Sequence, residues 1–254
     1  MKRHLPNALT CVNLLCGCIA LTFIFGGNLV VAAYFVGIAA VADFFDGLVA
    51  RALRVSSPIG KDLDSLADMV SFGVVPGAII FQLLTSASTH ADTNYGYLPN
   101  AQAGSYPLAY LGFIISIFSA LRLAKFNNDT RQTTSFIGLP TPACTLVVAS
   151  LPLILANDVF GLKDFILNPL VLIALTVLLS GLLVAELPLF ALKFKNLQWR
   201  GNRRRFIFVG LALGLVLWLK AAGVPLAVLL YVLLSIPGRV RSRDAAEAAP
   251  AKPQ

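Results

Sequence analysis

Long apolar runs recur from one end of this 254-residue chain to the other. A helix needs about 17–25 apolar residues to cross a bilayer, and about eight runs approach or reach that length. Their approximate bounds are 8–26, 29–50, 66–84, 106–125, 141–157, 166–187, 206–220 and 222–236. The mean hydropathy of +0.80 agrees with a membrane protein. We therefore predict an all-α fold, a polytopic membrane helical bundle, in which the last two runs form either two spans or a re-entrant pair.

The 20 basic residues are distributed unevenly between the two sides of this predicted bundle. With the N-terminus placed inside and eight spans threaded, only Lys163 and Lys220 fall outside, as the positive-inside rule requires. This bias accounts for the net charge of +8 without a nucleic-acid partner. It predicts an integral protein of the inner (cytoplasmic) membrane with both termini in the cytoplasm. A six-span version would also keep the C-terminus inside.

Carboxylates gather at one place in this apolar chain. Five of the 12 acidic residues fall within DFFDGLVARALRVSSPIGKDLDSLAD, the segment 43–68. Asp43 and Asp46 lie at the inner end of the second span, three positions apart and therefore on one helical face. Gly47 and Ala50 follow on the same face and leave room for a ligand near the backbone.

The helix breaks at RVSSPIG, because Pro58 and Gly60 disfavour its continuation. In the next helix Asp64 and Asp68 are four positions apart and share a face, whereas Asp62 is about 200° from Asp64 and points elsewhere. Two antiparallel helices can therefore aim four carboxylates at one point.

Four carboxylates this close repel one another and cannot all remain ionised without compensation. The spacing leaves three interpretations open. The first is a pair of hard divalent cations, Mg²⁺ or Mn²⁺, because no histidine accompanies the cluster as zinc would favour. The second is a buried salt-bridge network with Arg51, Arg54 and Lys61. The third is an ion-coupled carrier, since carboxylates within membranes also serve transport.

The same segment matches the pattern D-x2-D-G-x2-A-R-x8-G-x3-D-x3-D without a gap. The fixed positions are Asp43, Asp46, Gly47, Ala50, Arg51, Gly60, Asp64 and Asp68. This pattern resembles the signature of the CDP-alcohol phosphatidyltransferase family. The resemblance implies a membrane enzyme with a six-helix core, forming a homodimer, that displaces CMP from a CDP-linked lipid or alcohol.

The resemblance also implies a role for each matched residue. Asp43, Asp46 and Asp64 would hold one divalent cation, and Asp43, Asp64 and Asp68 would hold the other. Asp68 would in addition be the general base. The positions that match the family's contacts to the cytidine nucleotide are Gly47, Ala50, Arg51 and Gly60.

Segments on both sides of the cluster resemble the phosphatidylserine synthase branch of the family. They are HLPNALTCVNLLCG (4–17), DSLADMVSFGVVPG (64–77), ALRLAKFN (120–127) and FIGLPTPA (136–143). The resemblance implies CDP-diacylglycerol and L-serine as substrates, membrane lipids as surroundings, and phosphatidylserine and CMP as products. The same chemistry with glycerol 3-phosphate, an inositol phosphate or choline as the acceptor stays open.

A serine carboxylate requires a cation for its recognition. Arg122, at the inner end of the fourth span, can bind a carboxylate through two hydrogen bonds, and Asn127 can add a polar contact. Alternatively, Arg122 is only an anchor on the cytoplasmic side. Thr10 and Asn13 in the first span either face the nucleotide or form hydrogen bonds between helices.

These expectations divide the chain into four parts. Residues 1–190 form the phosphatidyltransferase membrane domain, and 191–205 form a basic cytoplasmic loop. Residues 206–238 add two C-terminal spans to the six-helix core. Residues 239–254, rich in Pro and Ala, form a disordered cytoplasmic tail.

Overall fold

The computed structural model describes residues 4–55, 57–92, 107–128, 135–158, 160–190 and 199–235. Its α-helices are α1 (His4–Phe25), α2 (Leu29–Leu53), α3 (Pro58–Asp68), α4 (Val75–Asp92), α5 (Ile114–Asn128), α6 (Thr141–Asn157), α7 (Lys163–Ile166), α8 (Pro169–Val184), α9 (Trp199–Leu219) and α10 (Gly223–Ser235). A π-helical segment, Met69–Val74, joins α3 to α4. The 3₁₀ segment Pro107–Phe113 leads into α5, and Lys220–Ala222 joins α9 to α10.

The predicted polytopic helical membrane fold is confirmed. Within the described residues, five helical runs are long and apolar enough to cross a membrane: His4–Phe25, Leu29–Leu53, Pro58–Ser88, Pro107–Asn128 and Arg205–Ser235. The helices Thr141–Asn157 and Pro169–Val184 are apolar but shorter. The third run is the most buried of the five and forms the centre of the bundle, whereas the last lies at its periphery.

The last run is bent rather than straight. Lys220 has a left-handed backbone with φ of 51°, and a Cβ added to Gly223 would collide with the carbonyl oxygen of Leu215. Residues eight positions apart approach this closely only where the chain reverses, so α9 and α10 form a helical hairpin. At 1.5 Å per residue α10 is about 20 Å long, which is short for a full crossing.

One boundary and one pair of strands differ from the prediction. The segment 191–205 was expected to be a loop, but α9 begins at Trp199, because the chain from 199 onward continues the helix of the apolar run. Ser135–Ile137 and Pro188–Phe190 form a short antiparallel pair of strands, β1 and β2. This pair joins the linker before α6 to the linker after α8. The predicted tail 239–254 lies outside the described residues.

Local signals end α2 and start α3 where the sequence predicts a break. Arg54 caps α2 with φ of 52°, and Ser57 caps α3 by accepting a hydrogen bond from the Gly60 amide at 3.0 Å. Pro58 occupies the first turn, where its missing N–H costs nothing. The break turns the chain back, and α1 packs against both α2 and α3. The two acid-bearing helix ends are therefore neighbours.

Small residues allow close approach in the bundle core. An added Cβ at Gly112 would lie 2.7 Å from the Phe81 backbone nitrogen and 2.9 Å from the Gly77 carbonyl oxygen. At Gly17 it would collide with the Ser71 hydroxyl. These contacts place α4 and the π segment directly against the 3₁₀ entry to α5 and against α1.

We expect Gly112→Ala to destabilise the detergent-purified protein by about 1–3 kcal/mol, because its Cβ meets backbone atoms that cannot move aside. Thermal unfolding followed by circular dichroism measures the loss. The control is Gly37→Ala, since no atom lies within 4 Å of a Cβ added there, and alanine favours a helix. Equal melting temperatures for the two variants would contradict the close packing at Gly112.

Candidate active site

Three of the four predicted aspartates converge in the structure. One carboxylate oxygen from each of Asp43, Asp64 and Asp68 lies within 4.8 Å of the others. Asp43 comes from α2, and Asp64 and Asp68 come from successive turns of α3. Asp46 lies outside this close group and is buried, with 6% of its surface exposed.

The charge of this cluster is not balanced by basic side chains. Among the described residues, none of the four aspartates forms an ion pair with Arg51, Arg54 or Lys61, so the salt-bridge interpretation is not supported. The Lys61 ammonium instead donates to the Asn127 carbonyl at 3.1 Å.

A divalent cation fits the oxygen atoms that are present. Asp64 Oδ1 is buried and has no hydrogen-bond partner, and an orphaned buried oxygen in a group of carboxylates calls for a ligand. Carboxylate oxygens are the ligands that Mg²⁺ and Mn²⁺ prefer. Asp43, Asp64 and Asp68 therefore form a candidate metal site.

Helix α1 supplies hydrogen bonds to the two ends of the acidic segment. The Thr10 hydroxyl donates to Asp46 Oδ2 at 2.7 Å, and the Asn13 amide donates to Asp68 Oδ1 at 3.2 Å. Thr10 has 4% and Asn13 0% of its surface exposed. Both residues thus form the interhelical hydrogen bonds considered from the sequence, with the acids as their partners, and Thr10 also lines the cavity described next. Sequence spacing gives no signal for this pairing across helices.

A cavity of about 260 Å³ adjoins the acids between α1, α2 and α3. Three of the predicted nucleotide positions, Gly47, Ala50 and Gly60, line it, whereas Arg51 does not. A Cβ added to Gly60 would lie 3.1 Å from Asn7 Oδ1, so a larger residue would narrow the space. Several other residues line the cavity without being predicted from the sequence to do so, although Asn7 is about one helical turn before Thr10. These are Pro6, Asn7, Val55, Ser57 and Lys61.

Arg122 lies buried outside the lining of this cavity. Its side chain is 8% exposed, its Nε has no hydrogen-bond partner, and its guanidinium lies 5.8 Å from the Phe126 ring centre. It interacts electrostatically with Asp68, Cys144 and Tyr231. No carboxylate of the described residues forms an ion pair with this buried guanidinium, which is therefore suited to an anionic ligand.

Asn127, the other predicted serine contact, has hydrogen-bond partners within the protein. Its side-chain amide donates to the Ser65 hydroxyl at 2.8 Å, and its backbone carbonyl accepts the bond from Lys61. Both polar groups thus connect α5 to α3. Tyr231 of the C-terminal hairpin is 5% exposed and packs on Phe208 of the same hairpin with ring centres 5.4 Å apart. Its electrostatic interaction with Arg122 places the hairpin near that residue.

Comparison with known proteins agrees with this geometry. The family model for CDP-alcohol phosphatidyltransferase matches residues 3–187. The match includes all four aspartates, the cavity and Arg122, and it ends before the C-terminal hairpin. The chain belongs to the CDP-alcohol phosphatidyltransferase family. Family membership decides between group transfer and ion-coupled transport in favour of transfer.

Individual relatives narrow the comparison. A CDP-diacylglycerol--serine O-phosphatidyltransferase of Bacillus subtilis is 31% identical over 170 residues, covering 63% of this chain and 85% of the relative. A protein of the same name from Helicobacter pylori is 30% identical over 213 residues, 83% of this chain and 80% of the relative. An archaetidylserine synthase of Methanothermobacter thermautotrophicus is 30% identical over 148 residues, 58% of this chain and 56% of the relative.

We expect Asp64→Asn to weaken Mn²⁺ binding by at least about tenfold, since even the loss of a partner outside the ligand shell commonly costs 10–100-fold. Mn²⁺ binding to the detergent-purified protein is measured by electron paramagnetic resonance without substrate. The matched control is Asp62→Asn, which removes an exposed carboxylate from the same helix. A metal site elsewhere would be indicated if both variants bound Mn²⁺ as the wild type does.

Proposed function

We propose that the protein transfers a phosphatidyl group from CDP-diacylglycerol to L-serine and forms phosphatidylserine and CMP. The observation that carries the proposal is the group of Asp43, Asp64 and Asp68, which forms no ion pair among the described residues and of which Asp64 lines the cavity, within a chain of this family. The relatives' names support serine as the acceptor, because the bacterial and the archaeal names both contain it.

Two divalent cations, Mg²⁺ or Mn²⁺, are assigned to the four aspartates. Asp43, Asp46 and Asp64 would hold one cation, and Asp43, Asp64 and Asp68 would hold the other. When bound, such cations neutralise a diphosphate and stabilise CMP as the leaving group. The closeness of Asp43, Asp64 and Asp68 supports the second set of ligands. In the first set, Asp46 already accepts a hydrogen bond from Thr10 with one of its two oxygens.

Asp68 is proposed as the general base. Its Oδ1 accepts the bond from Asn13, which fixes the carboxylate and leaves Oδ2 for a proton. The serine hydroxyl loses its proton to Asp68 as its oxygen forms a bond to the lipid-linked phosphorus. The bond from that phosphorus to the CMP oxygen breaks, and CMP leaves with the electron pair.

The cavity is assigned to the cytidine nucleotide, and Arg122 to the serine carboxylate. The small side chains of Gly47, Ala50 and Gly60 leave room in the cavity for a nucleotide to approach the backbone. Arg51 would contact the nucleotide from outside the cavity. A single buried guanidinium suits one carboxylate, whereas a phosphorylated acceptor would need more positive charge.

The remaining assignments concern the surroundings. We place the protein in the inner membrane with both termini cytoplasmic, so the site faces the compartment that supplies serine and nucleotides. Residues 1–190 form the catalytic domain, and 206–238 add a hairpin outside the region that the family model matches. The protein is expected to work as a homodimer with its lipid substrate held partly in the bilayer.

The test is CMP release by the detergent-purified protein with CDP-diacylglycerol, Mn²⁺ or Mg²⁺, and one acceptor at a time. We expect release with L-serine, and a loss of about 10²–10⁴-fold in turnover for Asp68→Asn with nucleotide binding retained. Release only with glycerol 3-phosphate, an inositol phosphate or choline would keep the chemistry and overturn serine. Full activity of Asp68→Asn would overturn its role as the base.

Arg122→Gln should raise the KM for serine by about 10–100-fold, because a hydrogen bond to a charged group contributes about 1.5–3 kcal/mol. The KM for CDP-diacylglycerol should stay close to that of the wild type. Steady-state kinetics with each substrate varied in turn separates the two effects. Lys125→Gln is the control, since Lys125 is exposed on the same helix. An unchanged serine KM in Arg122→Gln would exclude Arg122 as the carboxylate partner.

A further inference from the structure

The π-helical segment Met69–Val74 begins at the residue after Asp68. Its wider turn is defined by a hydrogen bond from the Val75 amide to the Val70 carbonyl, five residues back. A π turn inserts one residue relative to an α-helix, so it rotates α3 by about 100° relative to α4. The direction in which Asp64 and Asp68 point from the central helix therefore depends on this segment.

Side-chain hydroxyls from two other helices bind carbonyls of the π segment. The Thr145 hydroxyl of α6 lies 2.9 Å from the Phe72 carbonyl of the π segment and 2.9 Å from the Thr141 carbonyl of its own helix, so its proton is shared between the two. Ser116 of α5 donates to the Gly73 carbonyl at 2.8 Å. Thr145 has 0% and Ser116 9% of its surface exposed. These bonds lie inside the bundle, where water is not available to replace them.

A third hydroxyl connects the π segment to α1. Ser71 donates to the Asn13 carbonyl at 3.0 Å, while the Asn13 side chain donates to Asp68. The same residue of α1 thus fixes both the segment and the carboxylate next to it.

Resting on the proposed metal-dependent transfer, we propose that Thr145 and Ser116 are positioning residues that hold the π segment and thereby aim Asp64 and Asp68 at Asp43. Neither hydroxyl belongs to the acidic group or lines the cavity. They act on the site indirectly, because the π segment that they hold sets the rotation of α3 and hence the direction of its two carboxylates. Loss of a hydroxyl favours return of the segment to α-helical geometry, which turns the two carboxylates away from Asp43.

The test compares Thr145→Val with Thr176→Val. Thr176 is equally buried, but its hydroxyl bonds only the Leu172 carbonyl of its own helix, at 2.7 Å. We expect Thr145→Val to bind Mn²⁺ about three- to tenfold more weakly in the absence of substrate, as loss of one hydrogen bond implies. Thr176→Val and Thr145→Ser should bind Mn²⁺ as the wild type does, the latter because it keeps the hydroxyl.

Wild-type Mn²⁺ affinity in Thr145→Val, or an equal loss in Thr176→Val, would overturn the proposal. If Thr145→Val does not fold, Ser116→Ala replaces it, with the same expected direction and the same contradicting result. Turnover with serine is measured in parallel. Since Mn²⁺ binding needs no acceptor, failure of serine transfer in the wild type would refute the proposed function without deciding the role of the two hydroxyls.

Discussion

Repulsion among carboxylates inside an apolar bundle is the constraint on which this structure depends. Asp43, Asp64 and Asp68 approach within 4.8 Å, and among the described residues Arg122 interacts electrostatically with Asp68 without forming an ion pair. Such a group is stable only with a cationic ligand or with protons. The carboxylates are close because the break between α2 and α3 brings the acid-bearing parts of these two helices together. Helix α1 then binds Asp46 through Thr10 and Asp68 through Asn13.

Hydroxyl groups connect this polar site to an otherwise apolar core. In a membrane bundle each such bond contributes roughly 0.6 kcal/mol on average. Which helices the bonds connect therefore matters more than how many bonds there are. The hydroxyls of Thr145, Ser116 and Ser71 each connect the π segment to another helix, namely α6, α5 and α1. The hydroxyls of Thr176 and Ser235 bond only within their own helices. The cross-helix bonds therefore concentrate where the acids leave the central helix.

Local features of the sequence predict the parts of the fold that local forces decide. The break before Pro58 and the shared face of Asp64 and Asp68 follow from residue chemistry and helical periodicity, and both occur in the structure. The π segment, the β1–β2 pairing and the Asn13–Asp68 bond depend on which helices pack together. Periodicity within one helix carries no information about them. For the same reason periodicity does not distinguish two spans from a re-entrant pair in the runs 206–220 and 222–236, between which the chain reverses at Lys220.

The cavity and Arg122 form separate parts of the site. The cavity assigned to the nucleotide is lined by α1, α2 and α3, whereas Arg122 comes from α5 and does not line it. An in-line displacement requires the attacking and the leaving oxygens on opposite sides of phosphorus. In the proposed reaction the cavity would hold the leaving CMP and Arg122 would hold the attacking serine, so the two groups would occupy separate parts of the site. Asp68 belongs to the acidic group and interacts electrostatically with Arg122, which supports its proposed role as the base.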